Sequence, residues 1–257
     1  MIPIRQCARL ALAAALILCT ATGTKAQSQG QTGHSDYGAC MTMVQAQPQT
    51  AFEQAEVWAA QGGGQAARHC AAVALIALGR LFEAAQRLEL LAAEMPANAI
   101  EPRARIYGQA GQAWLMTGEG SKAARAFSAA LTLTPADVEL MIDRSLARAT
   151  EGQYWEAIDD LNRAHDLAPT RADILVLRAS AYRTLEATDL AADDLERALA
   201  LDPGNPDGLL ERGILRRLDG DVAGARADWT RVLETAGDSP AAQAARANLE
   251  DLNKAAN

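Results

Sequence analysis

The chain has 257 residues, 49% of them apolar and only 4% aromatic, with a formal charge of −8. That is enough apolar material for a sizeable core, but a core of Ala and Leu, the strongest helix formers. The acidic balance and the lack of a basic face exclude a phosphate-backbone partner, so no nucleic acid is expected to bind.

The first element in chain order is a targeting segment. Arg5 and Arg9 give it a positive start, Leu10 to Leu18 reads LALAAALIL, and Thr24-Lys25-Ala26 puts small residues at the two cleavage-determining positions. The pattern predicts a signal peptide over 1–26, cut after Ala26, and export to the periplasm. The uncharged run from Leu10 to Thr24 is 15 residues, short of the roughly 20 that a span needs. Contact with a membrane is therefore expected only if the segment stays uncleaved. A lipid anchor at Cys19 would want a small residue where Leu18 stands. Removal of 1–26 leaves 21 basic and 32 acidic residues, a formal charge of −11. Cys7 and Cys19 leave with the peptide, and Cys40 and Cys70 remain. An even count in an exported chain points to a Cys40–Cys70 disulfide; two buried free thiols are the alternative.

Residues 27–36 are polar and are expected as a disordered linker. Residues 37–64 read as a degenerate helix pair, with Pro48 opening its second helix and Gly62-Gly63-Gly64 breaking it. From residue 65 the chain repeats. Leu140 to Pro169 reads LMIDRSLARATEGQYWEAIDDLNRAHDLAP, and the stretch from Ile174 to Pro203 carries the same pattern 34 residues on. Gly79, Gly118, Gly152 and Gly220 punctuate successive units, with Glu186 in the equivalent place. Five residues later stand Ala84, Ala123, Ala157, Ala191 and Ala225, and seven after that Ala130, Ala164 and Ala198. Pro96, Pro135, Pro169 and Pro203 close four units, and Gly237 closes the fifth. The units run 65–98, 104–137, 138–171, 172–205 and 206–239. The Gly allows a turn with unusual dihedrals, the Ala lets two backbones approach, and the Pro stops the second helix. Over 240–257, Ala245, Leu249 and Leu252 form one apolar stripe, expected as a capping helix.

This helix–turn–helix unit of 34 residues resembles the tetratricopeptide repeat. The resemblance implies an all-α fold, a right-handed α-solenoid of antiparallel helix pairs with a C-terminal capping helix.

In units three to five the first helix carries Arg144, Arg178 and Arg212, and sixteen residues later the second helix carries Asp160, Asp194 and Asp228. Equal separation predicts a ladder of Arg–Asp pairs; solvated faces without direct pairing are the alternative. His34, His69 and His165 are far apart in sequence, and Asp159-Asp160 and Asp193-Asp194 recur with the repeat. No catalytic constellation, metal site or cofactor is expected, and no phosphate loop follows Gly64. An enzyme and a small-molecule substrate are therefore not expected.

The resemblance places binding on a concave face lined by the first helices. Positions 2, 5, 9 and 12 of each unit share one stripe by helical spacing. They put Ile142, Val176 and Leu210 in one row, with Leu146 and Ile214 beside it and Arg183 and Arg217 at the border. Where some tetratricopeptide proteins grip a carboxylate tail with Lys, this chain has His69, Gly108, Ile142, Val176 and Leu210. An apolar helix or extended segment of a protein partner is expected in the groove instead. The expected function is a periplasmic interaction scaffold. A holdase-like chaperone for exported proteins is the alternative.

Overall fold

The computed structural model describes residues 29–255, with side chains from 36 to 254; the signal peptide expected over 1–26 lies outside the described residues. The described residues form α-helices in series and no strand: α1 (Gln29–Ala46), α2 (Pro48–Trp58), α3 (Gly64–Ala77), α4 (Leu81–Glu94), α5 (Ile100–Met116), α6 (Gly120–Leu133), α7 (Val138–Thr150), α8 (Tyr154–Leu167), α9 (Ala172–Thr184), α10 (Thr188–Leu201), α11 (Pro206–Leu218), α12 (Val222–Thr235) and α13 (Pro240–Ala255). A single π-turn, Ala59–Gly63, joins α2 to α3. Each helix packs on its neighbours in the chain, and the pairs α3/α4 to α11/α12 are the five units. The molecule is an all-α solenoid. No described helix is long and apolar enough to cross a membrane.

Two segments differ from the sequence reading. The linker expected over 27–36 is helical from Gln29 onward. Once Tyr37–Ala46 is held as helix, each added residue gains a hydrogen bond without a new nucleus. The gap 99–103 is also helical from Ile100 onward, so α5 gains an extra turn at its start. Pro102 is tolerated there because the first turn's N–H groups have no intrahelical acceptor.

The turns show why the punctuation recurs. In all five units the first helix ends with a six-to-one bond, such as Gln153 N to Arg148 O at 2.9 Å and Ala187 N to Tyr182 O at 2.9 Å. That closure needs a left-handed residue just before the donor. Gly79, Gly118, Gly152 and Gly220 take it with φ of 72°, 77°, 73° and 86°, and Glu186 takes it at 59°. At the far end, Met95, Thr134, Ala168 and Asp202 precede the closing prolines and all leave the helical region, as the proline ring demands.

Inside each unit, small residues on the first helix face large ones on the second. A Cβ on Gly213 would collide with the Trp229 indole, and one on Gly111 would sit 2.6 Å from Phe127. At the same offset of sixteen residues the other three units carry Ala72, Ser145 and Ala179 with Leu88, Leu161 and Leu195, all buried, in keeping with volume traded across the pair.

The Arg–Asp pairs are direct and bidentate. Arg144 donates to Asp160 at 2.8 and 2.5 Å, Arg178 to Asp194 at 2.7 and 2.6 Å, and Arg212 to Asp228 at 2.9 and 2.7 Å. All three aspartates are buried. Arg148 and Arg216, one turn later, add a second cation to Asp160 and Asp228 at 2.6 and 2.7 Å; Tyr182 holds that position in unit four. At the N-terminal end Cys40 and Cys70 form a disulfide that ties α1 to α3.

Candidate partner-binding groove

The stripe expected on the concave face is carried by α3, α5, α7, α9 and α11, and it is not the row of aliphatics that the sequence predicted. Ile142 is only 7% exposed and Val176 5%. A Cβ built on Gly208, at the start of α11, would lie 3.3 Å from Val176 Cγ2, so Val176 packs sideways against the next unit. Ile142 joins the core of units one to four. First helices of successive units stand too close for the fifth position to be free. Leu210 and Ile214 are half-buried, packed against the C-terminal core. Leu146 is exposed and lines a notch of about 100 Å³ with Ser180, which shares its ninth position, and Leu177, which the sequence reading did not put on the groove wall. Arg217 is exposed, whereas Arg183 is held by Glu211 at 2.7 Å and is not a free border cation.

The larger hollow lies one unit earlier, between α5 and α7. It has a volume of about 430 Å³ and a floor of Ala104, Gly108 and Leu140. Its walls carry Glu101, Arg105, Gln109, Gln112, Asp137, Glu139 and Asp143. The extra turn of α5 supplies Glu101. Gly108 opens the floor, since a Cβ there would already meet Leu140 at 3.0 Å. The sequence signal for this hollow was present in Gly108 at the fifth position and in the five-residue gap before unit two.

Charge in the hollow is poorly balanced. Glu139 pairs with Arg171, and Asp137 caps α7 by accepting from Leu140 N at 3.1 Å. Asp143 accepts from Gln112 Nε2 at 3.1 Å and has no cation partner among the described residues. Its carboxyl is held above the usual range, first by burial and then by Glu139 and Asp137, with the Gln112 bond opposing.

A polar chain closes the N-terminal end. Tyr37 OH lies 2.7 Å from His69 Nδ1, and His69 Nε2 lies 2.7 Å from Gln109 Oε1. An amide oxygen only accepts, so Nε2 carries the proton and Nδ1 accepts from the tyrosine. Burial pushes the His69 pKa down, and Arg105 adds to the effect against the Gln109 bond. His69 is thus a neutral link joining α1, α3 and α5. His165 lies elsewhere, its Nε2 2.8 Å from Arg197 Nη2. No group of His, Cys, Asp or Glu that could hold a metal ion occurs among the described residues.

No protein-family model matches the sequence, and no curated protein matches it. Solved structures do. The fold is similar to MamA, residues 41 to the end, from Desulfovibrio magneticus RS-1, with a TM-score of 0.58 at 16% identity over 70% of this chain and 98% of that one. It is also similar to TTC0263, a thermophilic TPR protein of Thermus thermophilus, with a TM-score of 0.54 at 22% identity over 70% and 98%.

Proposed function

We propose that this chain, a tetratricopeptide-repeat solenoid, is a non-enzymatic scaffold of the bacterial periplasm that holds a segment of a partner protein in its concave groove. The observation that carries the reading is the hollow between α5 and α7. It has an apolar floor and a half-buried carboxylate, Asp143, that lacks a counter-ion among the described residues. An aliphatic residue of the partner would enter the notch beside Leu146 and Leu177, and a basic residue one unit away would reach Asp143. With Ile142 and Val176 buried, the expected groove stripe lacks the continuous row of exposed aliphatics that a holdase would use there. The signal-peptide pattern over 1–26 and two cysteines placed to pair support the compartment.

A photo-crosslinking residue placed at Gln112 or Leu146 tests the reading in the periplasm of the living cell. Both positions should capture the same protein, and Arg163, exposed on the second helix α8, should not. Capture from Arg163 alone would move the site off the groove.

A further inference from the structure

The Tyr37–His69–Gln109 chain ends on the wall of the hollow between α5 and α7, which Gln109 lines beside Gly108 and Gln112. Its two hydrogen bonds decide which end of the Gln109 amide is offered to that space. The Tyr37 hydroxyl has no other acceptor among the described residues, so it donates to His69 Nδ1 at 2.7 Å. The neutral imidazole then carries its proton on Nε2, which donates to Gln109 Oε1 at 2.7 Å. The Gln109 amino group is left over, and it donates to no group among the described residues. Without Tyr37 nothing fixes that tautomer. With the proton on Nδ1 instead, Nε2 becomes an acceptor, and the Gln109 amide must turn over to give it an N–H. The hollow would then meet an oxygen where it had a donor. The polarity of this wall is therefore set from α1, through α3.

Little besides the disulfide holds Tyr37 in place. Among the described side chains of α1 only Cys40 and Val44 are buried, and the core they join is built largely of Ala51, Ala55, Ala71 and Ala74. Such small side chains bury little apolar area each. Tyr37 makes the one hydrogen bond from a described α1 side chain to another helix. Cys40 stands one turn after Tyr37, and Cys70 directly follows His69. The covalent tie and the hydrogen bond thus join the same two places on α1 and α3.

We propose that the Cys40–Cys70 disulfide controls the groove: oxidised, it keeps Tyr37 on His69 and the Gln109 amino group turned to the partner; reduced, it releases α1, and the groove loses affinity. This rests on the groove reading above. A dithiol reductant carries out the release. One of its thiolates attacks Cys40 Sγ, on the less deeply buried of the two residues, and Cys70 leaves as a thiolate that takes up a proton. The second thiol of the reductant then closes its own disulfide and frees Cys40 as a thiol, so two electrons pass to the protein.

The test compares the mature chain oxidised, reduced with excess dithiothreitol, and carrying Tyr37→Phe. Imidazole nitrogen shifts should report His69 as the Nε2–H tautomer in the oxidised chain, and as a mixture of tautomers after reduction and in Tyr37→Phe. In the cell, photo-capture from a crosslinking residue at Gln112 should fall about fivefold in Tyr37→Phe and in Cys40→Ser with Cys70→Ser, the weight of one hydrogen bond. On a Gln109→Leu background neither change should lower capture further, whereas general loosening of the N-terminal unit would still do so. A further drop on that background, or a His69 tautomer that ignores the disulfide, would overturn the proposal. No capture from wild type would overturn the groove reading instead, and the imidazole spectra would still decide the link between disulfide and His69.

Discussion

Four acids line the hollow, and Asp143, which has no ion pair among the described residues, has its carboxyl raised, mainly by burial. A carboxyl raised in the folded state costs stability when ionised, so the cost is present at pH 7 and vanishes as pH falls through the folded value. Asp143→Asn should therefore melt higher than wild type at pH 7, and the gap should close below about pH 4. A lower melting temperature at pH 7 would show that the Gln112 bond outweighs burial. The ladder makes the opposite kind of statement. Arg178 is buried against Asp194, with Arg197 as a more distant cation at 3.5 Å. Arg171 is paired to exposed Asp173 and Glu139. Arg178→Ala should cost about 3 kcal/mol, since it strands a buried charge; Arg171→Ala should cost about 1 kcal/mol or less. Equal costs in urea unfolding would contradict the geometry.

The helix pair was the part most legible in the sequence. Gly, Ala and Pro recur there for local reasons: a left-handed turn, a close helix crossing, a stop. The departures also have local reasons. Glu186 occupies the left-handed position at a φ of 59°, which costs a side-chain-bearing residue about 1 kcal/mol. Glu186→Gly should recover about that amount in the denaturation midpoint, and a loss would mean that the Glu186 side chain holds the turn. The trade of Gly111 for Phe127 and Gly213 for Trp229 was also written in the sequence, at a fixed separation of sixteen residues, yet went unread. The exposure of the concave stripe was not legible. Whether position five is free depends on how closely successive first helices stack, and that is set by residues such as Gly208 one unit away. Spacing within a helix assigns a face, but it does not say what covers that face.

Across the whole molecule, the ends differ from the middle. The N-terminal pair α1/α2 shares a small core with α3, built from Val44, Ala51, Ala55, Ala71 and Ala74. It is fastened to the array by the Cys40–Cys70 disulfide and by the Tyr37–His69–Gln109 chain. The sequence placed the two cysteines; the histidine link needed the fold, because its three members come from three helices. Cys40→Ser with Cys70→Ser should lower stability by about 2–4 kcal/mol. The loss should appear first as faster amide exchange in α1 and α2. Uniform exchange along the chain would mean that the unit is held by packing alone.

The groove itself is the central claim, and affinity is the most direct measure of it. Titration of the partner captured from Gln112 against wild type and Leu146→Asp should show at least a tenfold loss for the variant, about 1.4 kcal/mol. The helical spectrum should not change, because Leu146 is exposed. Equal affinity in a folded variant would contradict the account and take the partner off the concave face.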